Sequence, residues 1–231
     1  MYKQTLKNSN DLMEQHKDHS PLQVVVLGAN GGIGNQVVVQ ALNEGHMVTA
    51  ILRTPANLII THPNLNIVQG DVMKPASIEE HVKNKDVVVS AIGKNSLKKT
   101  ILYSQGNRNI IEAMKNAGTK RAFFISASGL EVNPTHSLLV KFATKFILQT
   151  ILKNMYADLW VMEKMVKESN IKWTIIRPPK LLDSPETGNY RSSVDDYLNN
   201  GLKISRADVA HYIVHNLINA SIFQKTIEIA Y

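Results

Sequence analysis

The chain has no cysteine among its 231 residues. That absence excludes disulfides, thiolate catalysis and cysteine-based zinc sites, and it suits a reducing compartment, so a cytoplasmic location is expected. Aromatic residues are also scarce, 6% against 44% hydrophobic residues in all, which points to an aliphatic core. No apolar run approaches membrane-spanning length, and no membrane partner is expected. Residues 1–20 are polar and charged with no apolar centre, so they are expected to form an extension or extra helix rather than a secretory signal. Acidic residues are outnumbered, 19 to 26, leaving a net charge of +7. The basic residues are scattered, with only short pairs such as Lys98-Lys99 and Lys120-Arg121 and no interleaved aromatics. Specific nucleic-acid binding is therefore not expected. What remains is a domain over 21–231, a monomer or weak homo-oligomer, with a basic surface suited to an anionic small molecule.

Glycine is concentrated where it tells most. Residues 22–34 read Leu-Gln-Val-Val-Val-Leu-Gly-Ala-Asn-Gly-Gly-Ile-Gly, a β-branched strand running straight into Gly28, Gly31, Gly32 and Gly34. Val37, Val38, Ala41 and Leu42 then recur at helical spacing until Gly45, and a second strand follows over Met47–Arg53. A turn this tight needs residues without side chains, both to bend and to let a diphosphate approach the backbone. The helix beginning near Gly31–Gly34 aims its unpaired N–H groups and positive dipole end at that phosphate. Strand, glycine turn, helix and strand in this order point to a dinucleotide cofactor.

The same alternation continues. Strands are expected at Asn66–Asp71, Asp86–Gly93, Ala122–Ser126, Ile171–Arg177 and Thr226–Tyr231, with helices at Ser77–Val82, 100–117 and Ala207–Asn219. Residues 137–168 are rich in Leu, Phe, Ile and Met and too long for one ordinary helix, so a break is expected near Asn154. Residues 180–203, full of Pro, Gly, Asn and Ser, are expected to be loop. The fold class is therefore α/β, a single Rossmann-type doubly wound parallel sheet with ligands at the C-terminal strand ends.

Arg53 stands at the end of the second strand, where NAD-preferring folds carry an acid for the ribose hydroxyl. No acid is nearby, and an arginine can fork onto a 2′-phosphate, so NADP(H) is expected over NAD(H). The alternative is a surface arginine capping a strand end.

The ordered landmarks Gly28-Ala-Asn-Gly-Gly-Ile-Gly34, Gly70-Asp71-Val72, Ser90-Ala-Ile-Gly93, Ser126-Ala-Ser128, Ile176-Arg177-Pro178 and Ser205-Arg-Ala-Asp-Val-Ala210 resemble the atypical short-chain dehydrogenase/reductase superfamily, the NmrA-like and NAD(P)H-binding proteins. The likeness covers residues 22–219, and Glu168–Trp173, Pro178-Pro179 and Thr187–Tyr190 look like closing segments of the biliverdin reductase B/flavin reductase subgroup. The resemblance implies that Gly28, Asn30, Gly31, Gly32, Ile33, Gly34, Arg53 and Thr54 hold the cofactor. It implies that Asp71 and Val72 bracket the adenine, and that Ala91, Ile92 and Gly93 line the ribose path. Ser126 and Pro178 would flank the nicotinamide, and Ser128 falls at the catalytic-serine position. Asp71 could equally cap the following helix, and Ser128 could equally bond local backbone. Glu163 and Lys164 could orient a substrate or merely face solvent.

Typical members use a Tyr-x-x-x-Lys pair as proton carrier. Of the seven tyrosines here none has a lysine four residues later, and Tyr156 is followed at that spacing by Trp160. Hydride transfer to a flavin, quinone or linear tetrapyrrole needs no such pair, and the subgroup also lacks it. The expectation is an NADPH-dependent reductase of a planar acceptor, its pocket shaped by loops 93–100, 129–137 and 180–203. The alternative is a catalytically silent NADP(H) sensor of NmrA type that signals through a partner protein. No metal is expected: His81 and His136 lack ligand spacing, and His211 and His215 read as a helix face.

Overall fold

The computed structural model describes residues 20–94 and 96–231, so the extension expected over 1–20 lies, apart from Ser20, outside the described residues. Strand β1 (Gln23–Leu27) is β-branched and buried on both faces, as a central parallel strand must be. It alternates Val24 and Val26 into one apolar layer and Val25 and Leu27 into the other. Helix α1 (Gly32–Asn43) returns the chain to β2 (Met47–Leu52), and β3 (Leu65–Gln69) follows on the outer side. The short α2 (Glu79–Val82) leads to β4 (Val87–Ser90), and α3 (Leu102–Ala117) to β5 (Arg121–Ile125). A helical stretch then comprises α4 (Leu138–Phe142), a π-helical segment Ala143–Leu148 and α5 (Gln149–Ile151). After it come α6 (Lys153–Lys167), β6 (Lys172–Arg177), β7 (Lys180–Leu182), β8 (Arg191–Val194), β9 (Lys203–Ser205), α7 (Arg206–Val214) and β10 (Lys225–Ala230).

Eight strands form one sheet in the order β3-β2-β1-β4-β5-β6-β10-β8. Every neighbouring pair is parallel except β10 with β8. Helices α1 and α7 cover one face; α2, α3 and α6 cover the other. The order reverses between β1 and β4, and the crevice beyond their C-terminal ends is where such sheets take ligands.

The structure corrects the sequence reading in three places. Residues 180–203 are not all loop: β8 pairs antiparallel with β10 at the sheet edge, and β7 pairs with β9 in a separate ribbon. Strands of three or four residues, such as Arg191-Ser-Ser-Val194, carry too little periodicity to be read from the chain. The break expected near Asn154 falls at Leu152, between α5 and α6. Helix α7 stops at Val214 rather than Asn219.

Candidate nucleotide-binding cleft

The glycine turn after β1 is held by backbone alone. Gly28 has φ +80°, and a Cβ placed there would lie 2.4 Å from the Ala91 carbonyl oxygen. One on Gly34 would lie 2.3 Å from the Gly28 carbonyl oxygen. The turn is closed by the Gly31 N–H donating to Gly28 O at 2.9 Å. Gly31 is the N-cap of α1, where no side chain caps the helix and the first turn holds no acid. That leaves a positive helix end beside backbone that nothing larger than hydrogen shields. Asn30, Gly31 and Gly32 are exposed along the turn, while Ile33 and Gly34 are buried beneath it.

The turn also carries a cation that the sequence reading did not assign. A Cβ on Gly32 would overlap the Arg206 side chain, 2.2 Å from Cδ and 2.6 Å from Nε. Arg206 opens α7 and forms an ion pair with Asp183 at 2.6 Å. The motif Ser205-Arg-Ala-Asp was visible in the chain, but its position across the glycine turn depends on α7 packing beside α1. Gln40 Nε2 fixes that packing by donating to the Ala207 carbonyl at 3.0 Å.

A cleft of about 790 Å³ opens alongside, lined by Arg53, Met73 and Gly93, then Lys94 and Lys99–Leu102, and on its far side Ser104 and residues of α6. Thr54 is exposed next to Arg53. Val72 and Ile92 meet over Gly106 of α3, where a Cβ would come within 2.9 Å and 3.0 Å of them. Asp71 does not cap α2: its Oδ1 accepts from the Met73 N–H at 3.0 Å, and the N-cap of that helix is Ile78. Of Ala91, Ile92 and Gly93, the exposed Gly93 lines the cleft, while Ala91 and Ile92 are half-buried and do not. Helix α3 is anchored at this rim by Asp158 of α6, whose carboxylate accepts from the Tyr103 and Ser104 N–H groups at 2.8 and 3.2 Å and from the Ser104 hydroxyl. Of the three loops expected to shape the pocket, only 93–100 lines this cleft. Glu131, Asp195, Asp196 and Tyr197 instead line a separate polar pocket of about 460 Å³.

Beyond the end of β5 the residues are side-chain built. Ser126 Oγ donates to Glu163 Oε1 at 2.6 Å, and Arg177 forks onto the same carboxylate at 2.8 and 2.6 Å. Arg177 also reaches Glu131 at 2.9 Å, and Tyr197 donates to Glu131 at 2.7 Å. Glu163 is 2% exposed, so the reading of a solvated helix face fails for it, while Lys164 does face solvent. Burial raises the Glu163 pKa, but the bonds and charge of Arg177 outweigh it and hold the carboxyl below its usual range. The arginine is correspondingly held above its own. Ser128 lies two residues on, half-buried, its N–H donating to the buried Pro178 carbonyl at 3.0 Å. No side-chain bond to its hydroxyl is present among the described residues. Tyr156 comes close beside it, and a Cβ on Gly129 would sit 2.5 Å from the Tyr156 hydroxyl. Burial pushes that phenol up to about 12.

Among the described residues no cluster of three or more His, Asp or Glu could hold a metal ion. His211 instead accepts or donates one bond to the Tyr190 hydroxyl at 2.7 Å and stacks on His215.

A glycine cradle at the strand-order switch and an open helix N-terminus, flanked by two arginines, are what a dinucleotide-binding Rossmann domain presents to its ligand. The family model described as NAD(P)H-binding matches residues 28–220, and the chain belongs to that family. An uncharacterized chloroplastic protein of Arabidopsis thaliana is 29% identical over 223 residues, covering 90% of this chain and 76% of that protein. Phenylcoumaran benzylic ether reductase PT1 of Pinus taeda is 32% identical over 126 residues, 50% of this chain and 39% of the reductase. A short-chain dehydrogenase/reductase from Veillonella parvula, solved in complex with NADP, superposes with a TM-score of 0.75 at 20% identity, covering 92% of this chain and 95% of that one.

Proposed function

We propose that the chain is an NADPH-dependent reductase that delivers hydride to a planar acceptor such as a flavin, a quinone or a linear tetrapyrrole. The observation that carries the reading is the cradle of Gly28 and Gly34, where any Cβ would enter backbone and where α1 presents its uncapped N-terminus. Gly28, Asn30, Gly31, Gly32, Ile33 and Gly34 would hold the diphosphate by main-chain N–H groups, with Arg206 as its side-chain cation. Arg53 and Thr54 would take the 2′-phosphate, which favours NADP(H) over NAD(H). Asp71 and Val72 would flank the adenine, with Ala91, Ile92 and Gly93 beneath the ribose and Ser126 and Pro178 at the nicotinamide end.

When bound, the reduced nicotinamide supplies the hydride. The protein's own work is positioning: the strand ends fix one plane and the cleft admits a second. The Ser126 hydroxyl is spent on Glu163, and Tyr156 has no lysine to lower its pKa. Ser128 is then the side chain free to contact the acceptor, and the proton comes from water. Relatives bearing the name reductase support this chemistry. The protein is proposed to work in a reducing, cytoplasm-like compartment as a monomer or weak homo-oligomer.

A second reading, an NADP(H) sensor without turnover, is favoured by the same commitment of Ser126 and by the lack of any relay behind Ser128. NADPH oxidation against FMN, quinones and biliverdin separates the two. Turnover supports the reductase; tight binding with no turnover on any acceptor supports the sensor.

A further inference from the structure

The largest unexplained feature of the surface is the helical stretch 138–151. Leu138 is 83% exposed and Leu139 78%, and Phe142, Phe146, Ile147 and Ile151 are each more than half exposed. These positions repeat at three- and four-residue spacing, so they form a continuous apolar strip rather than scattered surface residues. Phe142 and Phe146 lie with ring centroids 4.7 Å apart on it. The strip is fastened to the domain at two points, the second of them through Asn154, which lines the cleft. Gln149 Nε2 donates to the Gly129 and Leu130 carbonyls at 3.1 and 3.2 Å, and Asn154 Nδ2 donates to the Leu97 carbonyl at 2.7 Å. The second contact brings in loop 96–101, where Leu97 and Ile101 are themselves exposed.

Charge distinguishes what can cover this face. Residues 93–104 and 132–157 contain no aspartate or glutamate, although the whole chain has 19 acids. They do contain Lys94, Lys98, Lys99, Lys141, Lys145 and Lys153. Lys145 lies with its ammonium 5.6 Å from the Phe146 ring, running its stem over the apolar strip. A second copy of this chain is disfavoured as the occupant, because a two-fold interface sets the same lysines against one another with no acid to pair them. No helix among the described residues is long and apolar enough to cross a membrane. A helix lying in the headgroup plane needs neither property. It needs apolar side chains on one face, lysines beside them and no acids.

We propose that residues 138–151, with the 96–101 loop, dock the protein onto an anionic lipid bilayer, with the cleft rim toward the lipid. This revises the expectation of no membrane partner, which rested on the absence of a spanning segment. It does not depend on the reductase reading.

The test is flotation of the full chain with phosphatidylcholine vesicles, with and without phosphatidylglycerol, in the absence of cofactor and acceptor. Partitioning onto the anionic vesicles is expected to exceed that onto neutral ones by about tenfold or more and to fall with added salt. Phe142→Ser with Phe146→Ser, and separately Lys141→Glu with Lys145→Glu, should each remove most of it. Lys83→Glu, which lies just before the N-terminal end of β4 and so at the opposite end of the strands from the cleft, should cost far less than the Lys141/Lys145 reversal. Binding to neither vesicle, or binding that the strip variants leave intact, overturns the proposal. Self-association that the phenylalanine variants abolish, without vesicle binding, assigns the strip to a second copy instead. Because no turnover is read, failure here leaves the reductase reading untouched, and an inactive protein that still floats leaves this one untouched.

Discussion

The two ends of the row of C-terminal strand termini are built by different means. At the β1–β4 end the surfaces are main chain: Gly28 against Ala91, Gly34 against Gly28, and an uncapped helix terminus. Beyond β5 they are side chains, with the buried Ser126, Glu163 and Arg177 joined to the half-buried Glu131 in one network. Backbone can recognise a diphosphate in many proteins and changes little between them. A side-chain network can be exchanged piece by piece, and that is where members of one family would differ in acceptor.

The backbone end should be the least tolerant. Gly28→Val combines a φ of +80° with a Cβ only 2.4 Å from a carbonyl oxygen. It is expected to lower unfolding free energy by about 3 to 4 kcal/mol and to abolish NADPH binding. Gly93→Ala sharpens the point, since its Cβ would meet only the Tyr103 hydroxyl at 4.0 Å. That variant should melt within a few degrees of the parent, and a collapse comparable to Gly28→Val would contradict the account.

At the other end Glu163→Ala leaves the buried Arg177 short of its main partner, at a cost of about 3 kcal/mol. The pH dependence follows from the same pair. A carboxylate held below its ordinary value of 4.5 stabilises the fold above that pH and ceases to do so as pH falls through its depressed pKa. Glu163→Gln should therefore flatten the loss of stability below pH 4.5, measured by urea titration at stepped pH. Glu131, also held low, keeps some of the slope. An unchanged profile would mean the pair is not the titrating element.

Two smaller effects lie between the ends. Arg206→Ala should weaken NADPH about tenfold, with little change in melting temperature, because its contact with Gly32 is at the surface. Calorimetric titration showing equal affinity would remove it from the diphosphate site. Asp158→Ala removes the cap of α3 and should cost about 1 kcal/mol. If Asp158→Asn, which keeps an accepting oxygen, were as harmful as alanine, charge rather than capping would be its role.

Legibility in the sequence divides along the same line. The glycine turn, the strand alternation and the helix ends at Gly45 and after residue 117 could be read directly, because each is a local backbone demand stated by one residue type. Gly118 does adopt φ +75° after α3. The Glu163–Arg177 pair could not be read, since the two residues stand in different elements and only the packing of α6 on β6 turns the glutamate inward. Lys164, its charged neighbour, faces water instead. The antiparallel β8 was hidden because its partner β10 comes more than thirty residues later, and Arg-Ser-Ser-Val has no alternation to announce it. Arg206 stood in a recognisable motif, yet its reach across Gly32 depends on two helices distant in sequence. For Asp71 the sequence left adenine contact and a helix cap open, and in place of the cap its carboxylate bonds the Met73 N–H.

The measurement closest to the central claim is NADPH oxidation by the purified chain, followed by absorbance with FMN, quinones and biliverdin in turn, beside NADH and Arg53→Asp. The account predicts turnover with at least one acceptor, faster with NADPH than NADH, with the preference lost in the variant. Tight NADPH binding with no turnover on any acceptor would contradict it and leave the sensor.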